Sequence, residues 1–308
     1  MIESRVSIQM AGLWKNIGKK FKSTSLKTGR FISSVMNHER PLAEDAVTLS
    51  IVAIVKNEAD YIDEWIRYHR LVGVDRFYIY DNGSTDETRD ILQKYVDEGI
   101  VILRNHPGRG QQLSVYNDAL RRYKLQSKYI AFIDVDEFLY SCEPEKMVLQ
   151  EIEELFTLYP NAGGLALNWR MFGSAGHVSK PEGGVLENYL YRSKEDGKGN
   201  KCIKTIVKPE CVYKYVHAHY PLYYKPYYSV DENGNRVEGW SHPARKIRHL
   251  RINHYFTKSK EEWIVRRKLG RVGCKYYEVR SIEDFYAHDN NDIYDDGMLP
   301  FAEKLKNK

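Results

Sequence analysis

From Val47 onward the hydrophobic and polar positions fall into a regular alternation of strand and helix patterns. The segment "VTLSIVAIVK" (47–56) is a nearly unbroken β-branched run, the signature of a strand covered on both faces. Tyr61, Ile62, Trp65, Ile66, His69 and Val72 then recur at helical spacing, and Gly73 stops that helix. "RFYIYD" (76–81) predicts a second strand. Ser84 with Glu87 three residues later reads as a capping box for a helix whose apolar face is Ile91, Leu92 and Tyr95, running to Gly99. "IVILR" (100–104) predicts strand three, residues 111–125 a helix, and "YIAFID" (129–134) strand four. Strands joined through helices require right-handed crossovers. They predict an α/β, Rossmann-like fold with a mainly parallel central sheet, helices on both faces, and ligands at the carboxyl ends of the strands.

Further on, Met147, Ile152, Leu155 and Leu158 mark a helix ending at Pro160, and "GGLALNW" (163–169) reads as a strand. The following segments are short and rich in Gly, Pro and Tyr, as expected of small strands and substrate loops. "KIRHLRINHYF" (246–256) predicts a late strand and Ser259–Leu269 a helix. Upstream, Leu13, Trp14, Ile17 and Phe21 share one helical face ringed by Lys15, Lys19, Lys20 and Lys22, a pattern suited to lying on an anionic membrane surface. Pro41 with Glu44 and Asp45 closes this leader. The expected organisation is a basic amphipathic leader (1–45), one domain (46–275) with a nucleotide-binding half (46–142) and an acceptor half (143–275), and a tail (276–308).

Composition narrows the function classes. With 308 residues, 42% hydrophobic and 29% charged, the chain is long and apolar enough to bury a sizeable core, so disordered and fibrous classes are excluded. The longest apolar run is the nine residues Val47–Val55, well short of the roughly 18 needed to span a bilayer. With no apolar segment of secretory type either, a cytoplasmic location is expected, possible contact with the inner face of the plasma membrane coming from the leader. Of the net charge of +5, residues 1–40 contribute eight Lys or Arg against Glu3 and Glu39. The body is therefore close to neutral, which argues against a nucleic-acid groove and leaves nucleic acid out of the expected partners. Cys142, Cys202, Cys211 and Cys274 form no CxxC pair and read as reduced thiols.

The densest chemical signal is "FIDVDEFLY" (132–140), where an apolar strand runs into Asp134, Asp136 and Glu137. Crowded carboxylates repel one another unless a cation compensates, and oxygen ligands at i, i+2 on a strand end suit magnesium or manganese. A second signal gathers at the ends of strands one and two: Lys56, Asn57 and Glu58, then Asp81 and Asn82, with no GxGxxG or GxxxxGK[ST] string. Asp81 and Glu58 are suited to accepting hydrogen bonds from a nucleoside. "RNHPGRGQQLSVYND" adds Arg109, Gln111, Gln112 and Asn117 on the same edge. Trp169 and Arg170, followed by Phe172 and "GSAGH", suit a sugar platform and loop. "VHAHY" sets His217 and His219 on one strand face, but no third ligand accompanies them for a zinc site.

Taken in order, the strand followed by Asn-Glu, "YDNGSTDET" and "DVDEF" resemble the nucleotide-binding half of GT-A type glycosyltransferases. "NWRMFGSAGH" (168–177), "KCIKTIVKPECVYKYVHAHY" (201–220) and "INHYFTKSKEEW" (252–263) narrow this: the chain resembles glycosyltransferase family 92 and related bacterial family 2-like enzymes over residues 47–270. The resemblance implies inverting transfer from a nucleotide sugar, with a UDP-sugar of galactose type favoured, to a glycan or lipid-linked acceptor in surface polysaccharide synthesis. It implies Mn2+ or Mg2+ held by Asp136 with Asp134 and a late histidine, His254 before His217. Lys56, Glu58, Asp81, Gln112 and Asp134 would hold the nucleoside, Lys204 and Lys258 the diphosphate, Trp169 and Arg170 the sugar. Glu187, favoured over Glu182, would take the acceptor proton. Rival readings are a nucleotide-sugar-binding protein without catalysis and a nucleotidyltransferase; the latter lacks its glycine-rich basic first loop here.

Overall fold

The computed structural model describes residues 41–143, 145–243, 246–269 and 281–307; the predicted leader helix lies outside them. The first half follows the sequence pattern closely: β1 (Val47–Val55), α1 (Ile62–Leu71), β2 (Arg76–Asp81), α2 (Thr88–Asp97), β3 (Val101–Asn105), α3 (Gln112–Tyr123) and β4 (Ser127–Phe132). β1 pairs in parallel with β2 and with β4, and β2 with β3. β1 is buried over its last seven residues, which is why it carries no polar alternation. Trp65, Phe77 and Ile51 are among the side chains sealed on one face of the sheet; Val52, Tyr78 and Phe132 join α3 on the other.

Ser84 does not cap α2, which begins four residues later behind Glu87. Its hydroxyl instead accepts the Asn57 amide at 3.0 Å, while the Asn57 carboxamide accepts Thr85 N at 2.8 Å and Thr88 Oγ1 accepts Glu58 N at 2.8 Å. These polar residues stitch the loops after β1 and β2 to each other. Asn57 adopts φ 53°, a left-handed conformation that asparagine tolerates better than most residues.

The second half extends the sheet with reversed strands. β5 (Glu137–Ser141) leaves the acidic turn directly, followed by α4 (Val148–Leu158), β6 (Ala162–Met171), the single turn α5 (Val185–Asn188) and β7 (Tyr191–Arg192). Next come β8 (Ile203–Val207), the hairpin β9 (Val212–His217) and β10 (Tyr220–Tyr223), β11 (Tyr228–Val230), β12 (Arg236–Val237) and β13 (Leu250–His254). The sheet order is β12-β11-β6-β8-β4-β1-β2-β3, with β13 pairing both β5 and β6. β8 enters antiparallel between β4 and β6, so the predicted alternation of parallel strands stops at β4. Helices α6 (Lys260–Leu269), α7 (Ile282–His288) and α8 (Leu299–Lys306) complete the chain. The segment expected as a tail is part of the body: Met298, Ala302 and Leu305 belong to the main core, beside α1. No helix among the described residues is long and apolar enough to cross a membrane.

Candidate active site

Register brings the site together. In the antiparallel pairing of β13 with β5, His254 lies opposite Glu137, and the next amide, Tyr255 N, donates to Asp136 O at 2.8 Å. A histidine 118 positions downstream of Asp136 is thereby set beside its carboxylate, with His254 Nε2 at 3.5 Å from Asp136 Oδ1. On the far side, β8 pairs Thr205 with Phe132, so the preceding residue, Lys204, emerges next to the acidic turn. Its ammonium, 1% exposed, lies 2.9 Å from Asp134 Oδ2 and 3.4 Å from Glu137 Oε2. β6 lies alongside both, Trp169 pairing with Ile252 and Leu167 with Lys204.

The two aspartates occupy different electrostatic settings. Asp134 is half-exposed, and its oxygens are both engaged, Oδ1 by Gln112 Nε2 at 2.8 Å and Oδ2 by Lys204. Asp136 is buried. Burial alone would raise its carboxyl, but His254, Arg266 and Lys258 together outweigh that and hold it well below the usual range. Arg266, from α6, reaches Asp136 Oδ2 at 3.6 Å and Glu58 Oε1 at 3.0 Å. Burial raises the Glu58 carboxyl, with Arg266 the main opposing influence. Lys258 is buried with φ 51° and its Nζ 3.5 Å from the Tyr61 ring centroid; burial and Arg266 lower it to about 8, against the pull of Glu58, Glu262 and Asp136. Glu137 is fully buried, which raises its carboxyl despite Lys204.

Several buried polar atoms here have no hydrogen-bond partner among the described residues: His254 Nδ1, Arg266 Nη1, Glu137 Oε1 and Trp169 Nε1. Such groups cost free energy unless something completes them, and their concentration around the acidic turn makes it the candidate ligand site. Trp169 lies between two imidazoles, its ring 4.2 Å from His254 and 5.1 Å from His219. A divalent cation fits on the Asp136 side. The 3.5 Å gap between Asp136 Oδ1 and His254 Nε2 is long for a hydrogen bond and close to the roughly 3 Å separating two ligand atoms at about 2.1 Å from one ion.

Other predicted residues have different surroundings. Asp134 is held by Gln112 and Lys204, one on each carboxylate oxygen. Gln112 accordingly orients Asp134. Asp81 is buried behind Arg89 at 2.9 Å and the Ser84 amide at 3.1 Å, shaping the β2 turn. Lys56 follows β1, half-buried at the same sheet edge. His217 sits on the Lys204 side, its Nδ1 accepting the His219 amide at 3.3 Å. Asn117 is a structural tie, exchanging hydrogen bonds with the Tyr215 backbone at 2.9 and 3.0 Å. Arg170 points to the other side of β6 and ion-pairs with Glu195, because neighbours on a strand face opposite ways. Glu187 caps the turn Val185–Asn188 by accepting Gly184 N at 3.1 Å and pairs with Lys306. It lines a separate cavity of about 610 Å³ with Asp63, Glu64 and Arg67. Arg266 was the residue missed in the sequence: a basic run on a predicted helix carries no signal that one of its arginines reaches Asp136.

The profile of glycosyltransferase family 92 matches residues 46–281, more than half of the chain. The chain belongs to glycosyltransferase family 92. Its mixed α/β sheet, with carboxylates at the end of β4, is the GT-A arrangement expected for that family. Among family 92 relatives, a protein of Oryza sativa subsp. japonica is 28% identical over 168 residues, covering 54% of this chain and 28% of the relative. Galactan beta-1,4-galactosyltransferase GALS2 of Arabidopsis thaliana is 37% identical over 91 residues, 26% of this chain and 17% of that enzyme. The Escherichia coli UDP-Glc:alpha-D-GlcNAc-diphosphoundecaprenol beta-1,3-glucosyltransferase WfaP is 33% identical over 84 residues, 27% of this chain and 32% of that enzyme. The alignments thus span about a third or less of these relatives' own length.

Proposed function

We propose that this family 92 chain transfers a hexose from a nucleotide sugar, a UDP-sugar of galactose or glucose type, to the hydroxyl of a glycan or lipid-linked acceptor, with inversion. The observation that carries the reading is the convergence on Asp136 of His254, Lys258 and Arg266, all from the stretch 254–266 that begins 118 positions downstream, at the carboxyl edge of a sheet. The names of the galactan galactosyltransferase and of the glucosyltransferase support the donor class and a saccharide acceptor. The basic leader supports attachment to an anionic membrane surface on the cytoplasmic side.

In the transfer, the acceptor oxygen forms a bond to the anomeric carbon while the bond from that carbon to the diphosphate breaks. The acceptor's proton passes to a base, and negative charge grows on the leaving oxygen. Arg266 and Lys258 are placed to receive that charge, each already held near carboxylates that a bound diphosphate would replace. Asp136 and His254 would hold Mn2+ or Mg2+, which supplies Lewis-acid neutralisation of the diphosphate. Lys204 and Gln112 fix Asp134 for the ribose. Trp169 offers an aromatic face and an indole N–H to the sugar.

Calorimetric titration of UDP-galactose, UDP-glucose and UDP-GlcNAc, with and without Mn2+, on wild type and Asp136→Ala tests this. One donor binding in a metal-dependent way, lost in the variant, is expected. Equal binding to both proteins would overturn the site.

A further inference from the structure

At the end of β5 remote from Asp136, three potential ligands meet on two strand ends and a helix. Glu143 follows β5, Glu151 lies in the first turn of α4, and His249 immediately precedes β13. His249 Nδ1 is 2.9 Å from Glu151 Oε2 and 3.7 Å from Glu143 Oε1, and one ligating atom from each residue lies within 4.8 Å of the others. The backbone around the histidine is tied down: Cys142 N donates to His249 O at 2.7 Å, and Glu232 accepts His249 N at 2.9 Å. Glu151 is 0% exposed, and its Oε1 has no hydrogen-bond partner among the described residues. A carboxylate sealed from water with an unmet oxygen needs a compensating positive charge. Lys146 lies 3.7 Å from Glu143 Oε2 and is also paired with Glu154 at 2.7 Å.

We propose that Glu143, Glu151 and His249 form a second, structural divalent-metal site, selective for zinc. One imidazole nitrogen with two carboxylates suits zinc, whereas magnesium and calcium prefer oxygen alone. Seven residues of extended chain from Asp136 to Glu143 put this site about 20 Å from the nucleotide-sugar cleft. The ion would clamp β5 to β13 at the ends opposite those carrying Asp136 and His254. It would thus fix the register that brings these two residues together, without touching substrate.

The test uses the full chain, stripped with chelator, in the Asp136→Ala background so that the cleft contributes no metal binding. Titration with zinc chloride is expected to show one site and to raise the thermal unfolding midpoint by about 5–10 °C at zinc a hundredfold above its dissociation constant. Adding Glu151→Gln or His249→Gln is expected to abolish that rise. As a check independent of these variants, cobalt(II) bound to the parent should show visible absorption bands that zinc displaces. No zinc-dependent rise in the parent, or an equal rise in the His249→Gln protein, would overturn the site and leave His249 as a plain ion-pair partner of the two glutamates.

Discussion

Replacing Lys204 with Met removes the cation wedged between Asp134 and Glu137 while keeping the length and most of the apolar volume of the side chain. In wild type the ammonium is 2.9 Å from one carboxylate and 3.4 Å from the other. Removing one partner of a buried ion pair costs about 3–5 kcal/mol. Asp134 is more than a third exposed and can turn to water, and Glu137 can take up a proton, so we expect a smaller loss, about 2–3 kcal/mol. For a domain of this size that is a fall in Tm of roughly 5–10 °C. Glu137→Gln removes the charge yet keeps an oxygen for the Asp134 amide, which it accepts at 2.9 Å in wild type, and should cost only about 1 kcal/mol. In the double variant no carboxylate is left in the deepest position, so the two losses should fall short of additive by about 1–2 kcal/mol. Urea unfolding of the four proteins at pH 7 measures this cycle. Additivity within about 0.5 kcal/mol would refute the claim that Lys204 neutralises Glu137.

Further outcomes follow from the same geometry. Glu187→Gln should leave transfer near the wild-type rate, because Glu187 is occupied with Gly184 and Lys306; a loss of more than about tenfold in kcat would restore it as the acceptor's base. Trp169→Phe should keep stability but raise the sugar donor's KM about tenfold through loss of one indole hydrogen bond, and unchanged kinetics would count against the platform. His69 is fully buried, and burial lowers it to about 3, as its neutral ring bonds Trp65 O and accepts Leu139 N. The unfolded chain then binds the extra proton between pH 6.5 and 3, so this residue's contribution to stability is present above pH 6.5 and lost on acidification. The loss should reach about 2 kcal/mol between pH 7 and pH 5. Urea melts at both pH values should show that fall in wild type relative to His69→Gln, and parallel behaviour of the two proteins would contradict it.

The first half of the domain was legible in the sequence because its structure is local in origin. The unbroken apolar run of β1, the helical spacing from Ile62 to His69 and the acids at the end of β4 each follow from short-range periodicity and from the rule that α/β sheets bind at their carboxyl edge. That a late histidine, His254, would join Asp136 came from the resemblance to GT-A type enzymes and not from any local pattern. Non-local register decided the rest. That Trp169 joins the site while Arg170 turns away to Glu195, that His254 meets Asp136, and that Lys204 divides Asp134 from Glu137 all depend on how β6, β8 and β13 pair with their neighbours. A one-residue shift in the pairing of any of these strands would send its side chains to the opposite face. Glu187 shows the reverse case: an acid after a glycine-rich stretch reads as a free base, but α5 and α8 give it a cap and a lysine to serve. Short-range pattern thus determined the fold class and the acidic centre of the site, whereas strand register, which no window of sequence contains, decided which distant cations and aromatic groups surround it.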